Sequence, residues 1–96
     1  MVKKIIKFSA SWCGPCRVFA NTFKKASEME AYKDIEFKSV DIENDDDGEV
    51  FVEKFGVRSV PTTVLLDEND NLIYKLMGNV TLNDFTDVIN KSLNNE

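Results

Sequence analysis

The chain has 96 residues, 43% of them hydrophobic and 30% charged, and carries a net charge of −5. That length predicts one domain over residues 1–96, large enough to bury roughly 60% of the surface its unfolded chain exposes. The acidic balance argues against nucleic acid or an anionic membrane surface as a partner, and no run reaches the ~20 apolar residues that span a bilayer. Met1-Val2-Lys3-Lys4-Ile5-Ile6 faintly imitates a signal peptide, but Lys7 interrupts its apolar run and no convincing cleavage site follows. The chain is therefore read as complete and cytoplasmic, a compartment where ordinary thiols stay reduced.

In chain order, residues 3–10 read as a short buried strand running into Trp12-Cys13-Gly14-Pro15-Cys16. Phe19, Thr22, Phe23, Ala26 and Met29 then fall at helical spacing, predicting an amphipathic helix from about Gly14 to Ala31. Residues 35–42 alternate like a second strand. Asp46 followed by Glu49 resembles a capping pair, opening a helix that stops at Gly56. Thr62 to Leu66 and Leu72 to Met77 read as two strands joined by the polar turn Asp67-Glu68-Asn69-Asp70-Asn71. Thr81 reads as the N-cap of a last helix whose stripe is Leu82, Phe85, Val88, Ile89 and Leu93. The order β-α-β-α-β-β-α predicts an α/β fold, a four-stranded mixed sheet flanked by three helices, with a parallel first βαβ unit and an antiparallel hairpin.

Cys13 and Cys16 are the only cysteines, and the chain has no histidine. Two thiols at this spacing can close a small disulfide and open it again without disturbing the rest of the fold. On a strand-to-helix junction they read as a redox motif more than as a metal site. A zinc site needs four ligands, and only a second subunit could supply the missing ones. Asp45-Asp46-Asp47 suggests a calcium loop or a partner patch, but a solvated turn before a helix explains these residues more simply.

Trp12-Cys13-Gly14-Pro15-Cys16 resembles the active site of the thioredoxin family. Arg58-Ser59-Val60-Pro61-Thr62 resembles that family's cis-proline loop, and Gly78, ahead of the terminal helix, matches a third landmark. The three occur in the family's order from about residue 3 to the end. The resemblance implies a thioredoxin fold lacking the family's usual leading strand and helix, for which this sequence has no room. It implies a thiol–disulfide oxidoreductase with no bound cofactor or metal, acting on protein disulfides as a monomer. Cys13, the more exposed sulfur, would be the nucleophile and Cys16 the resolving thiol. Gly14 and Pro15 would shape the turn, Pro61 would follow a cis peptide, and Val60 would offer its backbone to an extended substrate segment. Trp12 would flank the groove, and Gly78 would admit a substrate backbone. Recharging implies an NADPH-dependent flavin thioredoxin reductase.

Lys7 departs from the family, which carries a buried acid six residues before the first cysteine. A cation beneath the sulfurs would stabilise thiolate and make the protein more oxidising, and a desolvated lysine would instead accept the proton. The plainer alternative is a lysine reaching water past a part of the sheet left uncovered by the missing leading helix. Two other functions stay open: a glutaredoxin-like enzyme reduced by glutathione, which the chain's size fits, and a non-catalytic subunit or clamp.

Overall fold

The computed structural model describes residues 1–94. Its elements are β1 (Lys4–Ser9), α1 (Gly14–Ser27), a single 3₁₀ turn (Glu30–Tyr32), β2 (Glu36–Asp41), α2 (Gly48–Phe55), β3 (Thr62–Leu66), β4 (Leu72–Met77) and α3 (Leu82–Asn94). The sheet order is β2-β1-β3-β4. β1 runs parallel to β2 and antiparallel to β3, and β3 and β4 form an antiparallel hairpin. The mixed sheet expected from the element order is therefore present, with both hairpin strands at their expected bounds.

Strand alternation divides the core between the two faces of the sheet. Ile5 and Leu65 point to one face, where α1 supplies Phe19, Phe23 and Ala26 and α3 supplies Phe85 and Ile89. The rings of Phe19 and Phe85 meet edge to face with centroids 5.3 Å apart, the offset geometry their quadrupoles favour. Ile6, Phe8, Val40 and Val64 point to the other face, against Phe51 and Phe55 of α2. Lysine stems extend this second cover: Lys38 and Lys54 lie over the rings of Phe51 and Phe55. Lys75 Nζ donates to the carbonyls of Phe55 and Gly56, closing the negative end of α2. Gly56 takes φ 63° there, the left-handed region that ends many helices.

Three local expectations need correction. The first helix stops at Ser27, short of Ala31, and Met29 leaves the apolar stripe with 40% of its surface exposed. Ser27 Oγ donates to the Lys24 carbonyl in the last turn. The following 3₁₀ turn then swings Tyr32 inward, where its hydroxyl donates to Asn90 Oδ1 of α3 at 2.7 Å. Asp46 does not cap α2: Asp47 holds the N-cap position without a side-chain cap bond, and its carboxylate pairs with Lys38. Thr81 behaves as expected, its Oγ1 accepting the Asp84 N–H at 3.1 Å.

Candidate functional site

The two cysteines sit where β1 hands over to α1. Cys13 is the N-cap residue, with extended backbone, and Pro15 occupies the first turn, where a missing N–H removes no helical hydrogen bond. Cys13 and Cys16 are joined by a disulfide, with Cα atoms 5.2 Å apart. Cys13 Sγ accepts the Cys16 N–H at 3.1 Å and lies 3.7 Å from the Val60 carbonyl oxygen. Ala10 and the partly buried Ile42 and Val60 pack around the pair.

Both cysteine residues are buried in the disulfide form, Cys13 4% exposed and Cys16 3%. Helix geometry separates them. Cys13 Sγ already receives an N–H that the helix start leaves without a backbone partner, so negative charge there is stabilised by a hydrogen bond and by the dipole. Cys16 lies inside the helix and faces the core cluster.

The Val60–Pro61 peptide is cis. Its loop meets the end of the hairpin, where the Gly78 N–H donates to the Pro61 carbonyl at 2.8 Å. Gly78 takes φ 87° with nothing within 4 Å of a Cβ position. Its glycine is thus required by backbone conformation, and the space beside it is open. Gly14 likewise has open space at its Cβ position. Trp12 is 64% exposed and borders a groove of about 230 Å³, walled also by Ile42, Val52, Val57, Arg58 and Val60. The structure thus brings Trp12, Cys13, Cys16, Val60 and Pro61 together and ties Gly78 to them through Pro61.

Lys7 lies six residues before Cys13 in the chain. It lies on β1 opposite Ser39 and Thr63, on the face that α1 and α3 cover, and is only 8% exposed. Its Nζ sits 5.3 Å from the centroid of the Phe23 ring. Phe23 follows Cys16 by about two helical turns, roughly 10 Å along the axis. The amine is therefore held at an aromatic ring down the helix, and not at an uncovered part of the sheet. Burial lowers its pKa below 10.5, because the charged form loses hydration there.

The wall residues Ile42, Val52 and Val57 carried no signal in the sequence, since an apolar residue near a helix reads as core. Gly48 was also missed. A Cβ there would stand 3.0 Å from the Asp41 and Ile42 carbonyl oxygens, so glycine allows α2 to approach the end of β2. The acidic run beside it is occupied by the turn itself: Asp41 Oδ1 accepts the Glu43 and Asn44 N–H groups, and Asp45 Oδ2 accepts the Asp41 N–H. The Asn44 side-chain amide, which donates to Asp41 Oδ2, together with the Glu43 and Asn44 N–H groups holds the Asp41 carboxyl below its usual range. Among the described residues, no group of three or more Cys, Asp or Glu converges to hold a metal ion, and no helix is long and apolar enough to cross a membrane.

The family model described as thioredoxin matches residues 2–91. The chain belongs to the thioredoxin family. It is similar to thioredoxin H5 of Oryza sativa subsp. japonica, with 40% identity over 74 residues, covering 77% of this chain and 50% of that protein. The crystal structure of Malassezia sympodialis thioredoxin, Mala s 13, aligns with a TM-score of 0.78 at 28% identity, covering 92% of this chain and 72% of that one. A thioredoxin f2 structure in complex with ferredoxin:thioredoxin reductase aligns with a TM-score of 0.78 at 26% identity, covering 94% and 76%. The chain spans about half the length of the curated relatives it matches. The Cys13–Cys16 disulfide at the head of the first helix is consistent with the family's active site, and the fold around it is the family's own.

Proposed function

We propose that this thioredoxin-family chain is a thiol–disulfide oxidoreductase that reduces protein disulfides as a single-domain cytoplasmic monomer. The observation that carries the reading is the Cys13–Cys16 disulfide at the head of α1, with the Cys16 N–H directed at Cys13 Sγ. In the reduced protein, the Cys13 thiolate attacks one sulfur of a substrate disulfide. The substrate S–S bond breaks, one substrate thiolate leaves and takes up a proton, and a mixed disulfide forms. Cys16 then loses its proton and attacks Cys13 Sγ, closing the intramolecular disulfide and releasing the second substrate thiol. Two electrons and two protons pass to the substrate in one cycle.

Trp12 and Val60 supply the apolar walls of the groove, and Val60 offers its backbone to an extended substrate segment. Gly14 and Pro15 keep the turn between the sulfurs tight, and Pro61 and Gly78 shape the floor. Lys7 has a minor electrostatic influence, consistent with the place of its amine at Phe23. No bound cofactor enters the cycle. A reductase recharges the pair: the complex of thioredoxin f2 with ferredoxin:thioredoxin reductase supports a reductase of some kind, and we assign it to the NADPH-dependent flavin class.

The deciding experiment combines equilibrium titration against glutathione or dithiothreitol, read by Trp12 fluorescence, with reduction of an insulin disulfide. A potential near the ~−270 mV of thioredoxin, with Cys16→Ser accumulating a mixed disulfide and Cys13→Ser inert, is expected. A pair that cannot be reduced reversibly, or a Cys13→Ser variant that still turns over, would overturn the reading.

A further inference from the structure

Every ion pair among the described residues uses a lysine: Lys4–Asp70, Lys24–Glu28, Lys33–Glu30, Lys38–Asp47 and Lys91–Asp87. The chain's only two arginines, Arg17 and Arg58, lie at the redox end instead. Arg17 follows Cys16 directly, and its Nη1 donates to the carbonyl of Ser11, one residue before Trp12. Arg58 is exposed, walls the groove beside Trp12 and Val60, and has no carboxylate within ion-pair distance among the described residues. In a chain of net charge −5, neither guanidinium joins an ion pair among the described residues, and Arg58 places its own at the groove.

Arginine presents a planar fork of donors that matches a carboxylate, and being weakly hydrated it gives up water readily. The other described residues lining the groove, Trp12, Ile42, Val52, Val57, Ser59 and Val60, are uncharged, so a segment entering it meets Arg58 as the charged group of the wall. The Val60 carbonyl lies 3.7 Å from Cys13 Sγ, and Arg58 lies two residues before Val60 in the chain.

We propose that Arg58 is a specificity-determining residue that selects disulfide-bearing peptide segments with an acidic residue about two positions from the reacting cysteine, with Arg17 adding to the positive field. This rests on the thiol–disulfide reading above. The occupant is an acidic peptide, held by charge at the rim and by apolar contact along Trp12 and Val57.

The test uses two octapeptides with one central cysteine each, carrying either Glu or Lys two residues to both sides, presented as disulfide-linked peptide dimers. Reduced protein, freed of dithiothreitol, is mixed with each, and Trp12 fluorescence follows formation of Cys13–Cys16 as two peptide thiols are released. Each rate is divided by that of the same peptide with dithiothreitol, which removes the intrinsic effect of the flanking charge on the peptide sulfur. The Glu peptide is expected to react about fivefold faster at low ionic strength, the scale of an exposed ion pair gained against a like-charge contact. The preference should shrink in 0.5 M salt, fall below about twofold in Arg58→Gln, and return in part in Arg58→Lys. Equal normalised rates in the native protein, or an undiminished preference in Arg58→Gln, overturn the inference and leave the thiol–disulfide reading standing. Failure of reduced protein to react with either peptide overturns both.

Discussion

Replacing Lys7 with methionine separates two accounts of the cation that stands where the family keeps an acid. A charge in contact with a thiolate, about 4 Å away, would be worth about 4 kcal/mol at an effective dielectric of about 20. At 30 mV per 1.4 kcal/mol, removing it would lower the potential by about 90 mV, since the reduced form would lose its stabilisation. The structure holds Lys7 Nζ 5.3 Å from the Phe23 ring centroid, and Phe23 lies seven residues beyond Cys16 on α1, so an amine set off from the sulfurs by that helical rise stands about 10 Å away. At that distance the interaction is about 0.4 kcal/mol in water and about 1.7 kcal/mol at the lower dielectric, or ~10 to ~35 mV before salt screening. Lys7→Met should therefore move the potential down by no more than ~35 mV, measured by glutathione titration at pH 7. A fall beyond about 60 mV would refute the placement argument and put the amine at the sulfurs during the redox step. The same variant carries a second signature. The folded-state pKa of Lys7 lies below 10.5, so the unfolded chain binds its proton more tightly and native stability rises with pH through that window. Lys7→Met should be more stable than the native protein at pH 7, and urea titrations should show the gap closing as pH approaches 10.5.

Three further outcomes follow from packing and charge. Phe85→Ala empties a fully buried site that touches the rings of Phe19 and Phe23, and should destabilise the oxidised protein by about 3–5 kcal/mol in urea. Gly48→Ala drives a methyl against the Asp41 and Ile42 carbonyls, and should destabilise by about 1–3 kcal/mol. An alanine variant as stable as the native protein would show that α2 is free to shift. Asp41 and Asp67 both have pKa values lowered below 3.8 by hydrogen bonds from their turns. Their contribution is present above 3.8 and lost as pH falls through the folded-state values. Asp67→Asn should flatten the acid limb of a pH–stability curve, and an unchanged limb would count against that turn.

The sequence made the sheet legible because its strands are either fully buried or tightly punctuated. Leu66 and Leu72 bracket a turn of Asp and Asn residues whose side chains bond their own backbone, Asp67 Oδ1 accepting from both Asn69 and Asn71. Such a turn announces itself in composition. The cysteine pair was legible for a similar reason: spacing, strand-to-helix junction and Pro15 are all local. What escaped was set by long-range contact. Helical periodicity carried Met29 into the first helix, but the partner that ends that helix is Asn90 on α3, which draws Tyr32 inward. The capping pattern favoured Asp46, whereas Lys38 on the neighbouring strand engages Asp47. Lys7 could be placed opposite Ser39 by strand pairing, but only tertiary packing set its amine over Phe23.

The site joins two parts of unequal anchorage, which bears on how chemistry and selectivity can vary separately. Cys13 and Cys16 are fixed by β1 and α1, whose inner faces belong to the larger core cluster with Phe19, Phe85 and Ile5. The groove wall opposite Trp12 is built by α2, an eight-residue helix, and by the loop that follows it. An isolated helix of that length is not stable, so α2 depends on Phe55 beneath it, on Gly48 at its head and on Lys75 at its tail. Changes to these supports alter the shape of the wall and the setting of Arg58 while leaving the Cys16 N–H on Cys13 Sγ. The proposed exchange thiol is thus held by the larger core cluster, and the proposed selecting surface by a short helix that rests on a few supports.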